Sequence, residues 1–133
     1  MINARPVIVQ QLPPKVTRGQ TDLFFREVAP LLKADRPRMV FDFSNVVQLD
    51  SAGIELLLVC MEEALKRNGD LKLAAIPSGP RVVLEMTGVD HLFEIFQDPS
   101  DAVESFHRFP VHAFTEESQP WYPSAVSGAE RRI

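Results

Sequence analysis

The amino-acid sequence predicts an α/β fold, with one domain, a mixed and mainly parallel sheet of about four to five strands, and helices packed mainly on one face. Short β-prone segments alternate with amphipathic segments between residues 7 and 107, and turn or capping residues separate them. Because a crossover helix is the usual connection between parallel strands, this alternation favours parallel pairs and leaves an antiparallel edge strand as an alternative.

The first half of the chain contains two predicted strands around one helix. Residues 7–12 form a β-branched run that two prolines end, which is typical of an edge strand. Cap chemistry at residues 20–22 and apolar residues at helical spacing predict the next helix. We expect a kink or an early end near Ala29, because Pro30 removes a backbone hydrogen bond at about 3 kcal/mol. Residues 39–43 then predict a central strand that is covered on both faces.

The second half repeats the alternation. Apolar residues recur on one helix face from Ile54 until Asn68 and Gly69, and residues 71–76 predict the strand that follows.

Three more elements follow. A helix is predicted over residues 81–87, with Pro80 before it and Gly88 as its end. Residues 91–96 are a candidate last strand, and residues 98–100 cap a closing helix.

The pattern fails near the carboxyl end. Prolines, serines and one glycine interrupt every period beyond residue 109. We therefore predict one domain over residues 1–109 and a flexible or loosely packed tail over residues 110–133.

Composition excludes several function classes. The 14 basic residues are scattered among 18 acidic ones, so the chain offers no basic stripe for nucleic-acid phosphates. No apolar run is long enough to insert into a membrane. Residues 1–6 lack the apolar core of a secretory signal, from which we expect a cytoplasmic location.

Signals for catalysis and for metal binding are weak. The three histidines lack paired spacing and Cys60 has no second cysteine, so we predict no metal and no cofactor, and a buried Cys60. Ser51 lacks the first glycine of a G-x-S-x-G elbow, and no histidine stands out as its base. We predict that the chain is not an enzyme, with a small-ligand or hydrolytic site beside Ser51 as an alternative.

Residues 48–54 are the most informative segment, because Ser51 stands where a strand ends and a helix begins. A phosphate at the start of a helix is compatible with the fold, and its charge acts on any partner docked there. The alternative is that Ser51 is an ordinary N-cap. Asp50 is expected either to cap the helix or to orient the hydroxyl and a kinase-bound metal, and Gly53 is expected to allow close backbone approach.

Four segments carry a resemblance to a known family. The resemblance rests on the order and spacing of these four segments, residues 40–46, 49–54, 69–73 and 84–89. The chain resembles a STAS domain of the anti-sigma factor antagonist type over about residues 7 to 107.

The resemblance implies a bacterial, cytoplasmic regulator of transcription. Its partner would be an anti-sigma factor that is also a serine kinase, and a phosphatase is a further candidate partner. The kinase would phosphorylate Ser51, and the phosphorylated protein would release the anti-sigma factor. The partner-binding residues implied are Asp50, Ser51, Ala52, Gly53 and Glu55.

Alternatives remain open. Where family members usually carry an acidic loop before the first helix, this chain has residues 14–18 with Lys15 and Arg18, which indicates a different partner or a lost regulatory role. A second candidate function is a docking subunit of a lipid-transport or other ABC-type membrane complex, without phosphorylation. The edge at residues 7–12 also leaves a homodimer open.

Overall fold

The fold follows from the alternation of apolar strands and amphipathic helices. A computed structural model describes residues 6–107. Its strands are β1 (Ile8–Gln11), β2 (Lys15–Val16), β3 (Arg38–Asp42), β4 (Gln48–Leu49), β5 (Asp70–Ala74) and β6 (Ile95–Phe96). Its helices are α1 (Arg18–Leu32), α2 (Ser51–Lys66), α3 (Ser78–Thr87), a 3₁₀ turn (Val89–Leu92) and α4 (Pro99–His107).

The main sheet has four strands in the order β1-β3-β5-β6, and β2 pairs with β4 in a separate small sheet. Every pair within residues 6–107 is parallel, so the antiparallel edge is not found there. The predicted α/β class is confirmed. The prediction that the first strand lies at a sheet edge and that residues 39–43 form a central strand is confirmed as well.

Helices cover both faces of the sheet, and the larger core lies on one of them. Phe41 of β3 and Leu73 of β5 are fully buried in the cluster that α1 and α2 join through Leu32 and Leu57. On the other face, Val40 packs in a smaller cluster with α4. Alternate residues of β3 thus point to opposite helix layers, as the pleat of a strand requires.

Helix α1 does not end where Pro30 predicts. It continues to Leu32, and the Lys33 amide donates to the Ala29 carbonyl at 3.0 Å. A proline removes only one backbone bond, and the fully buried Leu32 anchors the last turn in the core. The predicted early end near Ala29 is therefore wrong.

Three short features also differ from the sequence prediction. Strand β2 was not predicted, α3 begins at Ser78 before Pro80, and the predicted strand at 91–96 is a 3₁₀ turn followed by the two residues of β6. Two-residue strands are too short to show a period. Gly88 ends α3, as predicted, and lies in the left-handed region with φ of 76°. The predicted tail of 110–133 lies outside the described residues.

Cys60 is fully buried in α2, as expected, and burial raises the pKa of its thiol to about 12. Within residues 6–107, no helix is long and apolar enough to cross a bilayer.

Truncating the core at α2 should destabilise the fold far more than truncating its surface. Leu57 is fully buried whereas Leu65 on the same helix is 53% exposed. We expect Leu57→Ala to lower the free energy of unfolding by about 3 kcal/mol and Leu65→Ala by less than about 1 kcal/mol. Urea denaturation followed by circular dichroism measures both, and equal losses would contradict the assigned core.

Candidate functional site

One carboxylate organises the segment that the sequence singled out. Asp50 follows β4 directly and is the N-cap of α2, where its Oδ1 accepts a hydrogen bond from the Gly53 amide at 3.0 Å. Its Oδ2 accepts from the Arg18 amide at 3.1 Å. The amides at the start of a helix have no partner within the helix, so Asp50 satisfies one such group on each of two helices. The predicted capping role of Asp50 is confirmed.

The contact with α1 corrects the sequence prediction for that helix. Capping was predicted at residues 20–22, but α1 begins at Arg18 and its N-cap Thr17 makes no side-chain capping bond. Asp50 supplies the acceptor instead, from 32 positions away in the chain. No local pattern signals a cap that comes from another element, which is why the sequence did not identify it.

The hydrogen bonds to Asp50 set its ionisation. The Gly53 amide holds the pKa of the Asp50 carboxyl below its usual value near 3.8, and burial opposes this effect. The amides of Arg18 and Ala52 and the charge of Arg18 lower it further. Asp50 is therefore an anion at neutral pH, with both oxygens available as acceptors.

Gly53 allows the second contact that fixes this corner. A Cβ atom at Gly53 would lie 2.3 Å from the Val16 carbonyl oxygen and 2.6 Å from a methyl group of Leu49. Only a residue without a side chain lets α2 approach β2 and β4 this closely. The prediction that Gly53 serves close backbone approach is confirmed.

Ser51 is presented to solvent at the first position of α2. Its side chain is exposed, and its hydroxyl has no hydrogen-bond partner among the residues that the structure describes. Asp50 occupies the N-cap position, so the alternative that Ser51 is the N-cap is wrong. Of the other predicted partner-binding residues, Glu55 is exposed, Asp50 and Ala52 are half-buried and Gly53 is buried.

Two hollows flank the start of α2. The first, which we call the α1–α2 groove, has a volume of about 260 Å³. It is lined by Thr21, Asp22, Phe25, Ala52, Glu55, Leu56 and Val59. The second has a volume of about 450 Å³ and lies between β4 and α3, with Asp50, exposed Val47 and Pro80 in its wall. The segment at Asp50 and Ser51 thus lies between two concave surfaces. Within residues 6–107, no three acidic, histidine or cysteine side chains are grouped to hold a metal ion.

Replacing Asp50 by asparagine should make the free energy of unfolding less dependent on pH in the acidic range. Asparagine has one acceptor oxygen, so Asp50→Asn caps one helix and leaves the other amide without its partner. Since the folded pKa of Asp50 is lowered, its contribution is present above about 3.8 and is lost as pH falls through the folded value. We expect the variant to unfold at lower urea than wild type at pH near 7.

The difference between the two proteins should shrink as the pH falls below 3.8 and through the lowered folded pKa of Asp50, because the carboxyl then becomes protonated. Asp22→Asn on α1 is the matched control, because Asp22 is also an acid and is exposed. A stability loss for Asp50→Asn that does not change with pH, or an equal loss for Asp22→Asn, would contradict the assigned role.

Two glycine substitutions test the close approach. Gly53→Ala forces α2 away from β2, and we expect it to lower the free energy of unfolding by about 2 kcal/mol or more. Gly79 in α3 has no atom within 4 Å of an added Cβ, so Gly79→Ala should leave stability within about 0.5 kcal/mol of wild type or raise it. Thermal and urea unfolding measure both, and a neutral Gly53→Ala would refute the packing.

The fold of the chain is shared with solved STAS structures. It is similar to a candidate anti-sigma factor antagonist from Thermotoga maritima, at 19% sequence identity and a TM-score of 0.64, over 78% of this chain and 85% of that chain. It is also similar to an anti-sigma-factor antagonist (STAS) domain protein from Planctomyces limnophilus, at 17% sequence identity and a TM-score of 0.67, over 75% of this chain and 90% of that chain. The STAS domain of a SulP transporter from Vibrio cholerae is similar at 16% sequence identity and a TM-score of 0.61, over 78% of this chain and 83% of that chain. Identities this low show the shared fold alone.

The sequence itself identifies the family. No curated protein matches the chain. The family model of the STAS domain, however, matches residues 6–102, which confirms the resemblance found in the sequence. The chain belongs to the STAS domain family.

Proposed function

We propose that this STAS domain is an anti-sigma factor antagonist that binds an anti-sigma factor kinase and releases it when Ser51 is phosphorylated. The observation that carries the proposal is the exposed Ser51 hydroxyl at the first position of α2, beside the α1–α2 groove. The docking surface comprises this groove together with Asp50, Ser51, Ala52, Gly53 and Glu55. The protein has a regulatory and not a catalytic role in this proposal.

The position of Ser51 suits phosphorylation without loss of the fold. A kinase needs a hydroxyl that it can reach, and the Ser51 side chain is exposed. A phosphate there lies at the positive end of the α2 dipole, which stabilises negative charge. The charge of Arg18 also acts on this corner, since it lowers the pKa of Asp50. The capping bonds of Asp50 do not involve the Ser51 hydroxyl, so they can persist after modification.

The groove suits an apolar segment of a partner. Phe25, Leu56 and Val59 contribute its apolar floor, and Asp22 and Glu55 contribute acidic groups. Val59 is 39% exposed, so a partner would remove apolar surface from water there. Ser51 adjoins Ala52 of the groove, so a phosphate on Ser51 would lose its water in such an interface. This loss would weaken binding unless the partner supplied a cation to pair with the phosphate.

Basic residues on the same surface define the partner further. Lys15 of β2 and Arg18 of α1 are exposed near Asp50, where other family members carry an acidic loop. Charge complementarity then calls for acidic groups on the partner at this point. A phosphate adds about −1.5 to −2 charges at neutral pH and would repel those groups. Both the groove and the basic residues therefore support release on phosphorylation.

The proposal is tested by comparing two serines in the same setting. Ser51 is the first residue of α2 and Ser78 is the first residue of α3, and both are exposed. We expect the cognate anti-sigma kinase with ATP to label Ser51 and not Ser51→Ala, as located by mass spectrometry. We expect Ser51→Asp to weaken binding to that kinase at least tenfold, or about 1.4 kcal/mol, by calorimetric titration.

Ser78→Asp is the control for a charge at a helix entrance and should bind as wild type does. Absence of label at Ser51 together with unchanged binding by Ser51→Asp would sink the proposal. Equal weakening by Ser78→Asp would show that the effect is one of net charge.

Docking in a membrane transport complex is the second candidate, because a transporter STAS domain is nearly as similar in fold as the antagonists are. In that case the same helix face would contact a nucleotide-binding subunit and Ser51 would have no switching role. The two candidates differ in one result: a transport partner would be retained equally by wild type and by Ser51→Asp in a binding assay.

A further inference from the structure

A second polar cleft lies at the other end of α2 from Ser51. It is formed at the amino ends of β3 and β5 and has a volume of about 280 Å³. Its lining includes three cationic side chains, Arg36, Arg38 and Lys72, together with Asp70 and Phe106. The hollow thus brings three cationic side chains together in a chain whose net charge is −4.

Lys72 is the buried anchor of this cleft. It is 6% exposed, and among residues 6–107 it is the one polar residue in the buried class. Its Nζ donates to Ser105 Oγ at 2.6 Å and lies 3.0 Å from Glu94 Oε1, with the Phe106 ring centroid at 4.2 Å. An ammonium group has three donors, and these contacts occupy two of them. Glu94 is 64% exposed, so its hold on Lys72 is weakened by water.

The two arginines are not neutralised within the part of the chain that the structure describes. Their guanidinium groups have no hydrogen bond or ion pair there. Arg38 stands opposite Asp70 in the β3–β5 register, yet the Asp70 carboxylate accepts from the Leu71 amide at 2.8 Å and forms no ion pair with Arg38. Burial raises the pKa of Asp70, which is the direction expected for a carboxyl without a close arginine.

The backbone around the cleft is also constrained. Arg36 has φ of 51° and Asn68 has φ of 62°, in the left-handed region that residues with side chains seldom adopt. The Arg36 amide donates to the Arg67 carbonyl at 3.0 Å, which ties the loop before β3 to the end of α2. Arg36 and Asn68 are thus held at the rim of the hollow by backbone contacts and not by side-chain pairing.

We propose that this cleft binds a phosphoryl group, either as inorganic phosphate or as a small phosphate monoester. Two free guanidinium forks and a buried ammonium match the acceptors of a tetrahedral oxyanion, and the side-chain NH2 group of Asn68 can add a neutral donor. The volume suits one phosphoryl group with a small substituent rather than a large cofactor. The site shares no residue with the docking surface at Ser51, so it does not rest on the function proposed above.

The test is a titration of the full chain with inorganic phosphate, followed by two-dimensional amide NMR and calorimetry. We expect saturable binding at millimolar phosphate or below, with shifts at Arg38, Gly69 and Asp70. The amides at Ala52 and Gly53 should not move. Shifts confined to the start of α2, or no saturation, would overturn the proposal.

Charge variants of opposite sign make the test specific. Arg36→Gln and Arg38→Gln should each weaken phosphate binding about tenfold, and Asp70→Asn should strengthen it a few-fold because the carboxylate repels the ligand. Arg26→Gln on α1 removes the same charge from an exposed site and should bind as wild type does. Since Arg36 is exposed, Arg36→Gln tests the cleft even where Arg38→Gln lowers stability.

Equal weakening by Arg26→Gln would overturn the proposal, because it would show a response to net charge alone. A parallel titration with a nucleoside monophosphate distinguishes the two sources of the phosphoryl group. Tighter binding than phosphate supports a monoester as the ligand, and weaker binding supports the free ion.

Discussion

The Asp50 carboxylate is the interaction on which this corner of the structure depends. Its two oxygens accept from an amide of α1 and an amide of α2, so one ionised side chain joins the entrances of both helices. These bonds commit Asp50 to the scaffold and leave it little freedom to orient the Ser51 hydroxyl. Ser51, which has no partner in the described part of the chain, is the group at this corner that can change state without breaking a contact.

Close packing around Gly53 holds the backbone at Ser51 in place. Gly53 lets the Val16 carbonyl approach α2 to a distance that no other residue would allow, and β2 pairs with β4 directly before Asp50. The backbone at Ser51 is fixed on these packed elements, so the position of the residue beside the α1–α2 groove would be the same for any proposed partner. Preorganisation of this kind reduces the ordering that binding must otherwise impose on the surface.

The sequence predicted the features that are local and periodic, and it did not predict those that depend on distant contacts. The apolar period of α2, the central strand at β3 and the end of α3 at Gly88 each follow from a few neighbouring residues. Strand β2 is two residues long and shows no period. The cap at Arg18 comes from a residue 32 positions away, and the cleft at Arg38 and Lys72 forms only when two strands are placed side by side. Folding, not sequence order, creates these sites.

The two sites are electrostatically separable because α2 holds them apart. The helix has 16 residues and is therefore about 24 Å long, with Ser51 at its start and the loop to Asp70 after its end. The Debye length at physiological salt is about 8 Å, so the electrostatic interaction through solvent between a phosphate on Ser51 and an anion beside Arg38 would be weak. Coupling between them would need movement of α2 itself, which the packing of Leu57 and Cys60 in the core opposes. Occupancy of one site is thus expected to leave the affinity of the other unchanged.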